Sequence, residues 1–155
     1  MKRTIFILSV YFLLFSSTGC LKDNGCQDKT VQSEQAAIVA YAAANGITAT
    51  AHSNGMYYQV VNAGSGPTPT INSQISVRYT GKLLNGTLFD SQTGTPITFG
   101  LSGAIAGWQI GLPLIQKGGI FKLIIPSSFG YGCQGNGPIP ANSILYFEIE
   151  LVDVL

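Results

Sequence analysis

Hydrophobic and polar residues alternate along two stretches of this chain. One stretch lies between residues 75 and 80, and the other covers residues 144–154. A period of two is typical of a β-strand with one buried face. In the second stretch this pattern places Tyr146, Glu148 and Glu150 on the solvent face. Two half-buried strands are therefore predicted, far apart in the sequence.

Shorter apolar segments predict the remaining strands. These segments cover residues 56–62, 87–91, 97–99 and 120–125. Asn85-Gly86 precedes the second of them and is a strong hairpin-turn signal, because both residue types accept a positive φ. The order of turns and short strands predicts an antiparallel sheet.

A helix is predicted over residues 32–44, where alanine is the commonest residue. Four residues form a partial apolar stripe at helical spacing: Val31, Ala37, Ile38 and Tyr41. Asn45-Gly46 supplies a C-terminal stop. This lead-in helix either rests on the following domain or spaces it from a membrane, and residues 48–55 are predicted to be a linker.

A second, shorter helix of one to three turns is predicted within residues 104–115, around Trp108. Pro113 and the pair Gly118-Gly119 end it. With the strands above, the whole is an α+β arrangement: an antiparallel sheet with one short helix covering its face, behind a helical lead-in.

The first residues have the composition of a targeting segment. Lys2 and Arg3 precede an apolar run of eleven residues from Ile5 to Phe15. This run is shorter than the roughly 20 residues that a membrane-spanning helix needs, but it suits a signal peptide. The motif Ser17-Thr18-Gly19-Cys20 at its end resembles the processing site of a bacterial lipoprotein. An ordinary secretory signal that ends near a cysteine is the alternative.

The lipoprotein resemblance implies a signal peptide over residues 1–19 and a diacylglyceryl group on Cys20. Residues 20–54 would then be a tether and short helix, and residues 55–155 the folded domain. The protein would be lipid-anchored in the bacterial cell envelope and would face the periplasm or the cell surface. The sequence does not decide between the two membranes.

Cys26 and Cys133 are the other two cysteines, in a compartment that tolerates disulfides. A disulfide between them would tie the lead-in to a late loop, and two unpaired thiols are the alternative. Neither cysteine has metal-ligand spacing to another residue.

Composition and charge exclude several function classes. Without Lys2 and Arg3, six basic residues stand against seven acidic ones, so no basic surface for nucleic acid is predicted. His52 is the single histidine and lies in the predicted linker, which argues against a hydrolase. No metal or cofactor is predicted.

Several aromatic residues lie in short sequence motifs that resemble those of the FKBP-type peptidyl-prolyl cis/trans isomerases. The matching motifs are Val77-Arg78-Tyr79-Thr80-Gly81, Phe89-Asp90-Ser91, Gly107-Trp108 with Gly111-Leu112, Phe129-Gly130-Tyr131-Gly132, Ile139-Pro140-Ala141-Asn142 and the closing strand from Leu145 to Leu151. The resemblance covers roughly residues 55–155, in the order and spacing of that family. It implies a strongly bent antiparallel β-sheet, a half-barrel, wrapped on one short α-helix, with an apolar cleft between them.

The resemblance also implies roles for individual residues. Trp108 would form the floor of the cleft, Tyr131 and the Ile105 amide would hydrogen-bond substrate carbonyls, and Asp90 would be a polar partner at the rim. The walls would be formed by Tyr79, Phe89, Phe99, Ile105, Ile139 and Phe147. Ile97 departs from the family, in which many members have a second phenylalanine at this position.

Isomerisation of X-Pro bonds in exported proteins is the function that this resemblance implies. A module that binds proline segments or acts as a chaperone with little turnover is the alternative, followed by a structural lipoprotein with a vestigial pocket. The expected partners are unfolded polypeptides that contain proline and, for the family, macrolide inhibitors. The expected state is a monomer.

Overall fold

The computed structural model describes residues 25–155, so the predicted signal peptide and Cys20 lie outside the described residues. The architecture is α+β, with six antiparallel strands in one sheet of order β1-β2-β5-β6-β3-β4. The strands are β1 Thr50–Ala51, β2 Tyr57–Asn62, β3 Gln74–Leu83, β4 Leu88–Gly100, β5 Ile120–Ile125 and β6 Leu145–Val154. The helices are α1 Val31–Ala44 and α2 Ala106–Gly111.

Strand β4 is longer than the sequence pattern predicts. The segments 87–91 and 97–99, predicted as separate strands, belong to one strand of 13 residues. Its pairing with β3 shifts register between Val77 and Tyr79, and such a bulge bends a strand without ending it. Pro96 is tolerated inside β4 because this strand lies at the edge of the sheet, where no second neighbour needs its missing N–H.

Helix α2 packs against one face of the sheet and closes the main core. Trp108 and Leu112, in and just after α2, are buried together with the inward residues of β3, β5 and β6. Gly107 permits the close approach, because a Cβ at this position would lie 2.6 Å from the side chain of Ile125. The position of α2 over β5 thus depends on a missing side chain.

Helix α1 covers the opposite face of the same sheet. Ile38 and Ala42 are buried in a second cluster with Ile124 and Tyr146, whose neighbours in β5 and β6 face the main core. The rings of Tyr41 and Tyr146 lie 5.4 Å apart. The lead-in helix therefore rests on the domain. The predicted solvent-exposed position of Tyr146 is wrong, because α1 covers it.

The predicted linker over residues 48–55 contains the short edge strand β1, which pairs with the start of β2. Asn45 caps α1 and Gly46 follows with a φ of +64°, as the Asn45-Gly46 stop signal predicts. Within residues 25–155, no helix combines the length and apolar character that crossing a membrane requires.

Cys26 and Cys133 form a disulfide, with their Cα atoms 5.4 Å apart. The bond connects the segment before α1 to the loop between β5 and β6, across 107 positions of sequence. The sequence leaves open a disulfide or two unpaired thiols, and the structure contains the disulfide.

Candidate active site

A hollow of about 230 Å³ lies between α2 and the bent sheet. The residues that line it come from β3, β4, α2 and its approach, the β5–β6 loop and β6: Tyr79, Phe89, Asp90, Phe99, Gly103, Ala104, Ile105, Trp108, Tyr131 and Phe147. Asp90 is the only one of these side chains that carries a charge. The fold thus brings aromatic residues that are distant in sequence to one hollow.

Trp108 is the central ring of this hollow. Its centroid lies 5.1 Å from that of Tyr79 and 5.3 Å from that of Phe147, and both rings stand nearly perpendicular to the indole. Phe99 lies 5.9 Å away at a shallower angle of 36°. Edge-to-face contacts of this kind are favourable and define ring orientation. The indole is therefore held rigidly by three neighbours.

Phe89 extends the aromatic wall from β4. Its ring stands edge-on to Phe147 at a centroid distance of 5.5 Å. Gly81 on β3 makes room for this pair, because a Cβ there would lie 2.6 Å from the Phe89 ring and 2.8 Å from the Phe147 ring. Any larger residue at position 81 would displace the wall.

Tyr79 and Asp90 form the polar part of the rim. The Tyr79 hydroxyl donates a hydrogen bond to Asp90 Oδ2 at 2.6 Å, between neighbouring strands β3 and β4. Burial raises the pKa of Tyr79 well above its usual value, and the hydrogen bond and negative charge of Asp90 raise it further. Tyr79 therefore stays protonated near neutral pH and holds the exposed Asp90 carboxylate by donation.

Tyr131 reaches the hollow from the loop between β5 and β6. It lies between two 3₁₀ turns, Ser127–Phe129 and Gly132–Gln134. Its side chain is half-buried and lines the same hollow as Tyr79, which lies 52 positions earlier in the sequence. Ile105 lines the same hollow and directly precedes α2, where backbone N–H groups have no partner within the helix.

Eight of the nine residues predicted for the cleft line this hollow, and Ile139 does not. Ile139 pairs with Asn136 in a tight turn and is buried in the main core. Gly103 and Ala104 also line the hollow, although neither is among the predicted site residues. Their position between Phe99 and Ile105 was the available signal, but neither has a side chain that suggests a site.

The part of the sequence that forms the hollow matches a known family. A family model described as FKBP-type peptidyl-prolyl cis-trans isomerase matches residues 66–152. The chain belongs to this family. The resemblance that the motifs indicate is thereby confirmed, and all residues that line the hollow lie inside the matched range.

Curated relatives support this membership. FKBP-type isomerase FkpA of Buchnera aphidicola is 50% identical over 105 residues, which are 66% of this chain and 42% of that protein. FkpA of Escherichia coli K12 is 46% identical over 104 residues, 66% of this chain and 38% of that protein. Mip of Coxiella burnetii is 42% identical over 104 residues, 65% of this chain and 45% of that protein. The chain thus matches about two fifths of the length of these relatives.

Solved structures of FKBP-type proteins confirm the fold. The crystal structure of Escherichia coli FkpA superposes with a TM-score of 0.71 at 39% sequence identity. The aligned part is 80% of this chain and 60% of the FkpA chain. A peptidyl-prolyl isomerase of Pseudomonas syringae superposes with a TM-score of 0.68 at 32% sequence identity. The aligned part is 83% of this chain and 98% of the Pseudomonas chain. The α+β half-barrel is therefore the FKBP fold.

Neither Ile97 nor the residues before the matched range line the hollow. Ile97, at a position where many members have phenylalanine, is 37% exposed on β4 and is not among the residues that line the hollow. Residues 25–65, which include α1, lie outside the matched range but form part of the folded unit.

Proposed function

We propose that this chain is a peptidyl-prolyl cis/trans isomerase that binds the proline of its substrate in the hollow over Trp108. The observation that carries the proposal is the convergence of Trp108 and Tyr131, 23 positions apart in sequence, on one hollow lined by aromatic residues. The activity and substrates of the whole protein are part of this proposal.

The reaction suits such a hollow. Rotation about an amide faces a barrier of about 18–20 kcal/mol, because resonance gives the bond partial double-bond character. No covalent bond is broken, so the reaction requires neither a nucleophile nor a metal or cofactor. A rotated amide has lost charge separation, and an apolar hollow therefore disfavours the planar ground state relative to the transition state.

Each polar group then has a specific role. The Tyr131 hydroxyl and the Ile105 N–H donate hydrogen bonds to carbonyls that flank the proline. Asp90, held by Tyr79, is a polar partner at the rim. The rings of Phe89, Phe99 and Phe147 form the walls together with Tyr79 and Ile105. Ile139, predicted as a further wall residue, is buried in the same core cluster as Trp108 and Phe147. Macrolide inhibitors are expected to compete for the same hollow.

We further propose that the protein acts in the bacterial cell envelope. The motif Ser17-Thr18-Gly19-Cys20 supports this proposal. In it, residues 1–19 are a signal peptide, residues 20–54 are a tether and short helix, and residues 55–155 are the isomerase domain. Cys20 would carry the lipid, and the monomeric protein would assist folding of exported polypeptides. Metabolic labelling with an alkyne palmitate tests this: the label is expected on the wild type and absent from Cys20→Ser.

A refolding assay limited by proline isomerisation tests the enzymatic proposal. The wild-type chain is expected to accelerate refolding, and Trp108→Ala is expected to remove most of the acceleration. Tyr131→Phe deletes one hydrogen bond and is expected to lower kcat/KM roughly three- to tenfold. Tyr58→Phe, which deletes a hydroxyl outside the hollow, is the matched control and is expected to keep full activity.

Two results would contradict isomerase function. One is a wild-type chain that does not accelerate refolding although it is folded by circular dichroism. The other is a wild-type chain that holds an unfolded client soluble without any acceleration, which would favour a chaperone module. Thermal melting of each variant separates loss of the site from loss of the fold.

A further inference from the structure

Residues outside the family match contact the loop that carries Tyr131. We name residues 26–34 the lead-in segment and residues 127–142 the tyrosine loop. The lead-in segment precedes the matched range of residues 66–152, and the tyrosine loop lies within it. One disulfide and four hydrogen bonds join the two. None of the lead-in residues lines the hollow.

The tightest connections meet two residues after Tyr131. Cys26 is joined to Cys133 by the disulfide. Asp28 Oδ1 also accepts a hydrogen bond of 2.7 Å from the backbone N–H of Cys133. Gly132, between Tyr131 and Cys133, has a φ of +55°, and a Cβ on it would collide with the Asp28 carboxylate. The backbone next to Tyr131 is thus shaped around Asp28.

The two ends of the tyrosine loop are also held by the lead-in segment. Glu34 on α1 is only 3% exposed, and its Oε2 accepts a hydrogen bond of 2.8 Å from the N–H of Ser127. At the other end, Asn142 accepts from the N–H of Lys29 at 3.1 Å and donates to the carbonyl of Gln27 at 3.2 Å. The same Asn142 donates its own N–H to the carbonyl of Gly132 at 2.7 Å.

We infer that the lead-in segment positions Tyr131 for the isomerisation, an inference that rests on the proposed function. Irregular loops open more readily than strands, because fewer backbone hydrogen bonds and packed side chains hold them. A donor that is already oriented stabilises the transition state without a reorganisation cost. Asp28 and the disulfide are therefore positioning groups that act through Tyr131, and residues outside the family range tune the family's hollow.

Removal of the Asp28 acceptor is the first test. Asp28→Ala in the full chain is expected to lower kcat/KM roughly three- to tenfold, mainly through kcat, because a misplaced donor costs transition-state stabilisation. Asp28→Asn keeps the acceptor Oδ1 and is expected to restore most of the activity. Lys29→Ala is the matched control, since residue 29 contributes its backbone N–H and not its side chain.

A double-mutant cycle separates positioning from general stability. In a Tyr131→Phe background the hydroxyl is already absent, so Asp28→Ala is expected to change kcat/KM by less than about twofold. Reduction of the disulfide is expected to have the same dependence on the Tyr131 hydroxyl. An equal loss in both backgrounds would mean that Asp28 only stabilises the fold, and would overturn the inference.

A readout that does not depend on activity completes the test. In protein labelled with fluorotyrosine, the Tyr131 signal is assigned by its absence from Tyr131→Phe. Asp28→Ala and reduction are each expected to shift or broaden that signal, while Lys29→Ala leaves it unchanged. A wild type without activity but with these shifts would refute the proposed function alone, and an unmoved Tyr131 signal would refute the positioning role.

Discussion

Two tyrosines donate short hydrogen bonds to carboxylates on opposite faces of the sheet. Tyr79 donates to Asp90 and Tyr146 donates to Glu148, each at 2.6 Å. Burial raises the pKa of both phenols, and the carboxylate partners raise it further. The sequence shows both tyrosines, but their pKa depends on neighbours that only the folded sheet supplies.

These shifts predict a loss of stability at alkaline pH. Above the ordinary tyrosine pKa of about 10, the unfolded chain releases phenolic protons that the folded chain retains, so the free energy of unfolding falls as pH rises. The slope is at most about 1.4 kcal/mol per pH unit for each tyrosine, and solvent screening reduces it. Urea unfolding between pH 9 and pH 11 (roughly one unit on either side of that pKa) measures it. The double variant Tyr79→Phe, Tyr146→Phe is expected to have a shallower slope; parallel curves would contradict this assignment.

At the scale of elements, α1 and α2 lie on opposite faces of one sheet and have different tasks. Helix α2 contributes Trp108 to the hollow, whereas α1 buries Ile38 and Ala42 against β5 and β6 and holds Ser127 through Glu34. The lead-in helix therefore supports the same sheet whose other face forms the site. The division of the chain into a tether and helix over 20–54 and a domain over 55–155 stays a prediction.

The packing of α1 has a direct test in two neighbouring residues. Ile38 is fully buried and Val39 is 48% exposed. Ile38→Ala is expected to lower the free energy of unfolding by about 2–5 kcal/mol, because it leaves a cavity between α1 and the sheet. Val39→Ala is expected to change it by less than about 0.5 kcal/mol. Equal effects of the two substitutions in chemical denaturation would mean that α1 does not belong to the cooperative unit.

At the scale of the whole molecule, the disulfide connects the beginning of the described chain to a loop beside the hollow. It links residues 107 positions apart, and the N–H of Cys133 is also bonded to Asp28. A link of this length removes much conformational freedom from the unfolded chain. It therefore contributes to stability as well as to the position of the tyrosine loop.

Reduction is expected to add two hydrogen atoms to the intact mass and to lower stability. The double variant Cys26→Ser, Cys133→Ser is expected to lose about 2–5 kcal/mol of unfolding free energy. Mass spectrometry with and without reductant measures the bond, and chemical denaturation measures its contribution. An unchanged mass after reduction of the folded protein would show that the thiols are not joined.

Strand β5 and the turn after β3 were predictable from local sequence. The predicted range 120–125 coincides with β5, and Asn85-Gly86 forms the predicted turn, with Gly86 at a φ of +87°. Strand β4 was not predictable as one element, because Pro96 and Gly94 interrupt its pattern and only pairing with β3 holds it together. Tyr146 was misplaced for a similar reason, since a helix from elsewhere in the chain covers it.

The amino-acid sequence by itself determined the fold class and the family, because the alternation and the motifs are read directly along the chain. The family resemblance then named nine residues for the cleft, and eight of them line the hollow. The tertiary structure decided which residues line the hollow, that Cys26 meets Cys133 and that Asp28 lies against Gly132. These contacts join segments that are far apart in sequence. Their formation depends on how two faces of a bent sheet are covered, and no local pattern records that.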